Sequence, residues 1–323
     1  MTPLLSIIVP HRNHLHCLPS LLDSILVQSF KNLEVIVVDD CSDEPCGPVV
    51  EAYQSRGLAI RLLSSGERIY THEARLRGIE AATGDIIGFA DADDMLWGTD
   101  TLEANIQTCV QSGVDILHFR VVISDEHGNF RSWAPFSDPM APCLHGDEIL
   151  SAYSKTDPWP VSSLWNKFFK RELCIGILEA ARKTTLTWYL EDGWLSFLLF
   201  SAAISYRGSD IIGYAYAWQD QRNTTDPTPT IACFALRRET EAFLHKHGWP
   251  QALIQAICRQ WEKPLRIHAG RFCLAIAEAD EPEREAALES LLCHPQRDDL
   301  LRALVLAGGL NAKKLLGIHG VYV

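Results

Sequence analysis

Residues 4–40 read LLSIIVPHRNHLHCLPSLLDSILVQSFKNLEVIVVDD, and in this stretch two short apolar runs flank a helical repeat. The runs over 4–9 and 35–38 are continuous, which is typical of strands that are buried on both faces of a parallel sheet. Between them, Leu and Ile recur at helical spacing over residues 18–26. Strand, helix and strand in this order predict a right-handed βαβ unit.

The same alternation continues along the chain beyond this unit. Further strands are predicted over 58–63, 86–90 and 114–124, and further helices over 48–56, 71–82 and 99–111. We therefore expect the α/β fold class, with a doubly wound, mixed and mainly parallel Rossmann-like sheet. Thr71 is expected to cap its helix. Residues 166–173 and 192–203 are expected to be helical or mixed, and residues 204–218 to contain two strand-like runs.

The pattern changes near residue 230. A polar, Pro-rich stretch over 223–230 is followed by helical spacing that continues to the end of the chain. We expect an α/β domain over residues 1–230 and a helical C-terminal region over residues 231–323. The leucines and lysines of the last 25 residues leave two interpretations open. They form a packing or homodimer surface, or an interfacial helix that contacts a membrane or an acceptor.

The composition is that of an ordinary globular protein, with 323 residues of which 47% are hydrophobic and 22% charged. Because 29 Lys and Arg face 41 Asp and Glu, the net charge of -12 argues against a nucleic-acid partner. Ten cysteines without a C-x-x-C pair are typical of reduced thiols. The start resembles no signal peptide, and no apolar run reaches the roughly 20 residues of a membrane span. The expected location is cytoplasmic, with peripheral attachment to the inner face of the membrane left open.

Three acids follow the strand predicted over 86–90, in the sequence Asp91-Ala92-Asp93-Asp94. Two carboxylates that are one residue apart at a strand end can hold Mg²⁺ or Mn²⁺ together with phosphate oxygens. The alternative is an acidic turn that caps the next helix. We favour the cation site because three crowded carboxylates repel one another and need a compensating charge.

Two further acidic pairs stand at element ends. Asp39-Asp40 follows the strand over 35–38, where it is suited to accept hydrogen bonds from a base or a ribose. A solvated turn explains this pair equally well. Glu191-Asp192 opens an apolar run, where a carboxylate either stabilises the helix dipole or acts as a general base. The pattern H-x-x-H-x-H over residues 11–16 is expected to be a loop of solvated histidines.

Five linked motifs resemble family 2 glycosyltransferases of the GT-A fold, in order and spacing, over residues 4 to about 225. They are Ser6-Ile7-Ile8-Val9-Pro10 with Asn13, Leu26-x-Gln28-Ser29-Phe30, Glu34 to Asp40 with Ser42, Gly84 to Asp94, and Glu191-Asp192. The resemblance implies metal-dependent transfer of a sugar from a nucleotide-diphosphate donor, expected to be a UDP-sugar, to an acceptor hydroxyl. Inversion, a non-processive reaction and a place in cell-surface polysaccharide or glycoconjugate synthesis are implied with it.

The resemblance also assigns residues to the nucleotide. Pro10 is expected to line the uracil pocket, with Asp40 bonded to the base and Asp39 nearby on the nucleotide. Arg75 and Arg222 are expected to approach the diphosphate. The family pattern Ala-Arg-Asn is incomplete at Arg75, because Leu76 stands where the Asn is expected.

The remaining roles concern the cation and the reaction. Asp93, with Asp91, is expected to coordinate Mg²⁺ or Mn²⁺, while Asp91 also faces the ribose or the donor sugar. Asp192 is expected to be the catalytic base, with Glu191 beside it. The implied acceptor is a saccharide or a lipid-linked or protein-linked molecule. Two alternatives remain, a catalytically inactive sugar-nucleotide-binding protein and a D-x-D phosphatase.

Overall fold

The computed structural model describes residues 4–125, 129–134, 138–156, 162–186, 189–217 and 226–293, together with Leu301 and Leu304. The chain divides into two compact units, Met1–Trp218 and Gln219–Val323. The domain division that the sequence predicts after residue 230 falls inside the second unit.

The first unit alternates strands and helices as the sequence predicts. Its elements are β1 Leu5–His11, α1 Leu18–Leu26, β2 Leu33–Asp39, α2 Gly47–Ser55, β3 Ile60–Ser64, α3 Tyr70–Ala81, β4 Ile86–Phe89, β5 Met95–Leu96, α4 Thr101–Ser112, β6 Ile116–Ser124, β7 Phe130–Trp133, β8 Cys143–His145, α5 Asp147–Tyr153, β9 Lys167–Lys170, α6 Arg171–Ala181, α7 Glu191–Ala202 and β10 Ser205–Ala217. The strand β1 continues through Pro10 to His11. Pro10 is tolerated there because the pairing with β4 has ended at Ile8.

The strands form one mixed sheet in the order β3-β2-β1-β4-β9-β6-β10-β5, with β7 beside β6 and β8 beside β10. The pairs among β1, β2, β3 and β4 are parallel, and β10 is parallel to β6. The strand β9 lies antiparallel between β4 and β6, whereas the sequence predicted helical or mixed structure for 166–173. Where two strand-like runs were expected over residues 204–218, the structure has the single irregular strand β10, Ser205–Ala217. The predicted mixed α/β sheet is confirmed.

The helix α3, which carries Arg75, lies very close to the sheet at Gly78. A Cβ atom on Gly78 would lie 2.3 Å from Cγ2 of Ile8, so that no larger residue fits between helix and strand. Thr71 does not cap α3, contrary to the prediction, because the helix begins one residue earlier at Tyr70. The backbone N–H of Ile69, which precedes the helix, instead donates to the Asp40 carboxylate.

The second unit is helical in its described residues, as the sequence predicts. Its helices are α8 Thr228–Lys246, α9 Gln251–Gln260, α10 Glu262–Glu278 and α11 Glu281–Cys293. Ala269, Phe272 and Ile276 of α10 form a small apolar core with Ala287 and Leu304. Among the described helices, none combines the length and apolar character that a membrane span requires. The leucines and lysines after residue 304 lie outside the described residues.

Candidate active site

A cleft of about 360 Å³ opens at the carboxyl ends of β1, β2 and β4, where α/β sheets bind their ligands. Its lining consists of Pro10, His11, Arg12, His14, Asp40, Arg68, Tyr70, Thr71, Ala74, Arg75, Asp91, Ala92, Asp93 and Glu191. The structure therefore brings together most of the residues that the sequence assigned to a nucleotide and a cation. Asp39 and Asp192 are not part of this lining, and Arg222 lies outside the described residues.

Asp40 is a buried carboxylate at the floor of the cleft, with 4% of its surface exposed. Its backbone N–H donates to the carbonyl of His11 (2.8 Å), and its side chain accepts from the N–H of Ile69. Arg12 donates to the backbone carbonyls of Asp40 (2.8 Å) and Cys41 (2.7 Å). These bonds fix the carboxylate in a position from which it can accept a hydrogen bond from a ligand N–H or O–H.

Asp39 points away from the cleft. Successive side chains of a strand lie on opposite faces, so Asp39 shares the face of Val35 and Val37 that packs on α1. Its Oδ1 lies 3.2 Å from Nδ1 of His11 and accepts from Oγ of Ser42 at 2.5 Å. The assignment of Asp39 to the nucleotide stays a prediction, and the geometry gives this carboxylate contacts that join β1 to the loop after β2.

His11 is the exception in the predicted loop of solvated histidines. It is 2% exposed, because it is the last residue of β1, whereas His14 and His16 are exposed. The donor atoms of His11, Asp39 and Cys46 lie within 4.8 Å of one another. Burial, together with the charge of Asp39, raises the pKa of the Cys46 thiol to about 11, so that this sulfur is protonated near neutral pH.

Arg75 joins three parts of the site through one buried guanidinium group. Its Nη1 donates to Oε1 of Glu191, and its Nη2 donates to Oδ1 of Asp91 at 2.9 Å. Arg75 and Glu191 are each 5% exposed. Burial alone lowers the pKa of Arg75, but the charges of Glu191, Asp91 and Asp192 outweigh it and raise the pKa. Arg75 is therefore a fixed cation that links α3, the turn after β4 and the start of α7.

We call residues 91–94 the D-x-D turn. Asp91 and Asp93 both line the cleft. Burial raises the pKa of Asp93, and the charge of Asp91 raises it further. Two carboxylates that repel each other at the edge of an open cleft match the oxygen donors that Mg²⁺ and Mn²⁺ prefer. This donor set fits the predicted cation.

Asp94, the third acid, belongs to the core. It is 2% exposed, and it accepts hydrogen bonds from the Tyr214 hydroxyl (2.8 Å) and the backbone N–H of Ala217 (2.8 Å). The Tyr214 hydroxyl in turn accepts from the backbone N–H of Asp91 at 3.0 Å. Burial, together with the charges of Asp91 and Asp93, raises the pKa of Asp94 well above its ordinary value. Asp94 and Tyr214 thus fasten the D-x-D turn to β10.

Glu191 and Asp192 begin α7 in different environments. Glu191 faces the cleft and is held by Arg75. Asp192 is half-buried, and its Oδ1 accepts from the backbone N–H of Gly193 at 2.7 Å. Burial and the charge of Glu191 raise the pKa of Asp192 to about 7. A carboxylate with this pKa can both accept and release a proton near neutral pH.

The sequence prediction gave no site role to eight of the lining residues, namely His11, Arg12, His14, Arg68, Tyr70, Thr71, Ala74 and Ala92. The Arg68 guanidinium lies over the Tyr70 ring at 4.5 Å, and Tyr70 has a positive φ of 63°. The segment Glu67-Arg68-Ile69-Tyr70, which leads from β3 into the first residue of α3, contributes a cation and an aromatic residue to the cleft lining. A cation and an aromatic residue at a strand-to-helix connection are typical of a binding loop, and this pattern could have indicated these two residues from the sequence.

Curated relatives match part of the chain. The chain is 39% identical over 103 residues to the amylovoran biosynthesis glycosyltransferase AmsB of Erwinia amylovora, covering 31% of this chain and 34% of AmsB. It is 32% identical over 116 residues to WfgD of Escherichia coli, a UDP-Glc:alpha-D-GlcNAc-diphosphoundecaprenol beta-1,3-glucosyltransferase, covering 36% of this chain and 44% of WfgD. The chain therefore spans well under two thirds of the length of these relatives.

Solved structures with the same fold match nearly the whole chain. Staphylococcus aureus TarS 1-349 in complex with UDP has a TM-score of 0.62 at 17% identity, covering 97% of this chain and 90% of TarS. A mannosyltransferase from Pyrobaculum calidifontis in complex with GDP-Man and Mn²⁺ has a TM-score of 0.56, covering 96% and 88%. These likenesses confirm the predicted GT-A fold. The family model described as glycosyl transferase family 2 matches residues 6–176, more than half of the sequence, and the chain belongs to this family.

Proposed function

We propose that the chain is a metal-dependent glycosyltransferase that moves a sugar from a UDP-sugar to an acceptor hydroxyl. The observation that carries this proposal is one cleft that contains Asp40, Arg75 and both cleft-facing acids of the D-x-D turn. Membership of glycosyl transferase family 2 supports the reaction class. The UDP bound to TarS and the UDP-Glc named for WfgD support the donor.

The cleft offers each part of a nucleotide sugar a chemically matched group. Asp40 accepts from the N–H of the base, next to the ring of Pro10. Arg75 supplies a fixed positive charge for the diphosphate. Asp91 and Asp93 would hold Mg²⁺ or Mn²⁺, which when bound stabilises the charge that develops on the leaving diphosphate.

Asp192 supplies the base. As the acceptor oxygen forms its bond to the sugar C1, the bond from C1 to the diphosphate oxygen breaks, and the acceptor proton passes to Asp192. One displacement of this kind inverts the configuration at C1. Because the pKa of Asp192 is about 7, a substantial fraction of this carboxylate is ionised at neutral pH. Glu191 holds Arg75 and does not take the proton.

The binding test uses Asp93→Asn with UDP as the ligand, in Mn²⁺ and in EDTA. In Mn²⁺ the variant should bind UDP at least about ten-fold more weakly than the wild type, because a metal ligand is lost. In EDTA the variant should bind UDP more tightly than the wild type, because removal of one negative charge reduces repulsion of the diphosphate. Asp85→Asn, an exposed acid that precedes β4 at its opposite end, is the matched control. Equal affinities of Asp93→Asn and wild type in Mn²⁺ contradict the metal assignment.

Two alternatives are tested by the same preparation. A sugar-nucleotide-binding protein without turnover should bind UDP but leave UDP-sugar unhydrolysed, whereas the transferase should show slow, EDTA-sensitive donor hydrolysis. A D-x-D phosphatase needs its first Asp free for nucleophilic attack. Here the Asp91 carboxylate is paired with Arg75, which favours the transferase. Cell-surface polysaccharide or glycoconjugate synthesis is the proposed context, with a saccharide, lipid-linked or protein-linked acceptor.

A further inference from the structure

Three aromatic rings lie parallel to one another beside the D-x-D turn. The Trp165 ring centroid lies 5.2 Å from that of Tyr214, with 9° between the planes, and 5.2 Å from that of Tyr216, with 12°. Tyr214 and Tyr216 are alternate residues of β10, so both side chains stand on the same face and one indole covers them. Tyr214 is buried, while Trp165 and Tyr216 are half-buried. We call these three residues the aromatic platform.

The aromatic platform is bound directly to the catalytic part of the cleft. The Tyr214 hydroxyl accepts from the backbone of Asp91 and donates to Asp94. Burial raises the pKa of Tyr216, and the carboxylates of the D-x-D turn and of Asp192 raise it further. The strand β10 lies on the other side of β4 from β2 in the sheet, so the aromatic platform stands on the side of the D-x-D turn opposite Asp40. A molecule on the aromatic platform is therefore placed beside the D-x-D turn, on the side that a nucleotide held by Asp40 leaves for the acceptor.

The loop that carries Trp165 is held by hydrogen bonds from the buried side chain of Lys167. Lys167 is fully buried, and its ammonium group donates to the carbonyl of Ser163 (2.6 Å) and to Oδ1 of Asn166 (2.7 Å). The carbonyl of Asn166 accepts from the backbone N–H of Phe119 at 3.0 Å. These bonds fix the residues on both sides of Trp165. A half-buried indole on a braced loop offers a large contact area with little conformational entropy left to lose on binding.

We propose that the aromatic platform binds the terminal sugar of the acceptor as a neutral pyranose, with its apolar C–H face on Trp165. This inference rests on the proposed function and names the chemistry of its acceptor. A pyranose has an apolar face that suits an aromatic ring and hydroxyl groups that donate to the surrounding carboxylates. The same carboxylates repel an anionic group, which argues against a phosphate or a uronic acid at this position.

The test measures saturation-transfer NMR from the full chain, loaded with UDP and Mn²⁺, to four methyl glycosides. Three are neutral, the methyl β-glycosides of glucose, galactose and N-acetylglucosamine, and one is anionic, methyl β-glucuronide. Trp165→Ala removes the half-buried indole ring, and Trp165→Phe keeps an aromatic face. Trp249→Ala, which removes another half-buried tryptophan from the second unit, is the matched control.

We expect saturation of the ring protons of at least one neutral glycoside and weaker saturation of the glucuronide. Trp165→Ala should weaken this binding at least about ten-fold, whereas Trp165→Phe and Trp249→Ala should change it by less than about three-fold. No transfer to any neutral glycoside, or transfer that is unchanged in Trp165→Ala, overturns the inference. UDP affinity is measured on the same samples. If the wild type does not bind UDP, the proposed function is refuted, and this outcome is distinct from a failure of the acceptor site alone.

Discussion

Arg75 gives the sharpest test of how this site is held together. Replacement by Met removes the guanidinium that pairs with Glu191 and with Asp91 and keeps a side chain of similar length. Glu191 is then a carboxylate with 5% exposure and without its cation, while Asp91 retains partial contact with water. Removal of one partner from a buried ion pair destabilises proteins by about 3–5 kcal/mol. For a unit of this size that corresponds to a fall in Tm of about 6–20 °C.

The assay is urea unfolding at pH 7.5, with the midpoint compared at constant m-value. Arg182→Met is the matched control, because Arg182 also pairs with an acid at 2.9 Å but is 39% exposed, and its loss should cost less than about 1 kcal/mol. The double variant Arg75→Met, Glu191→Gln leaves no charge uncompensated at position 191. It should therefore be more stable than Arg75→Met alone.

Two outcomes would refute the reasoning. If Arg75→Met and Arg182→Met lower stability equally, burial of the Arg75 pair has no energetic consequence. If the double variant is no more stable than Arg75→Met, the loss comes from packing of the Arg75 stem and not from an uncompensated Glu191. UDP affinity, measured in parallel, should fall in Arg75→Met and in the double variant alike, because both lack the proposed diphosphate cation.

Four further predictions concern Asp192, Tyr214 and Gly78. Asp192→Asn should lower transfer by about 10²- to 10⁴-fold while UDP affinity stays within a few-fold, as measured by initial rates and calorimetry. Because burial raises the pKa of Asp192 to about 7, and the base must be ionised, the wild-type rate should rise between about pH 6 and about pH 8; a flat profile contradicts this role. Tyr214→Phe removes two hydrogen bonds that hold the D-x-D turn, and should cost about 1–3 kcal/mol in urea unfolding. Gly78→Ala should cost about 1–3 kcal/mol, since the added Cβ has no space beside β1; unchanged stability would show that the helix can shift.

Much of the nucleotide half of the fold was predictable because its strands are continuous apolar runs. The first βαβ unit and the acids after β2 and β4 lie where the periodicity places them. The side of β2 on which Asp39 lies could also have been predicted from the sequence. Asp39 and Asp40 are consecutive residues at a strand end, so alternation allows only one of them to face the cleft. The resemblance assigns both to the nucleotide; the cleft lining contains Asp40, and the assignment of Asp39 stays a prediction.

Features that depend on tertiary pairing were not visible in the sequence. The strand β9 consists of Lys167-Phe168-Phe169-Lys170, a segment too short for periodicity to distinguish strand from helix. Its state is set by pairing with β4 and β6 on both sides. The role of Asp94 was hidden for the same reason. It follows the acids of the cleft directly, and only the position of Tyr214 on β10 makes it part of the core.

The charges of the cleft support the proposal that a divalent cation takes part in its chemistry. Arg75 is shared between two carboxylates, Arg12 donates to two backbone carbonyls, and Arg68 lies over the Tyr70 ring, so each of these cations already has a protein partner. Asp93 remains with a pKa that burial and Asp91 raise, which means that its ionised form is disfavoured where it stands. A diphosphate that enters this cleft meets net negative charge unless a divalent cation enters with it. The proposed metal dependence therefore follows from how these particular side chains are paired, and it should weaken if one of these arginines is released from its partners.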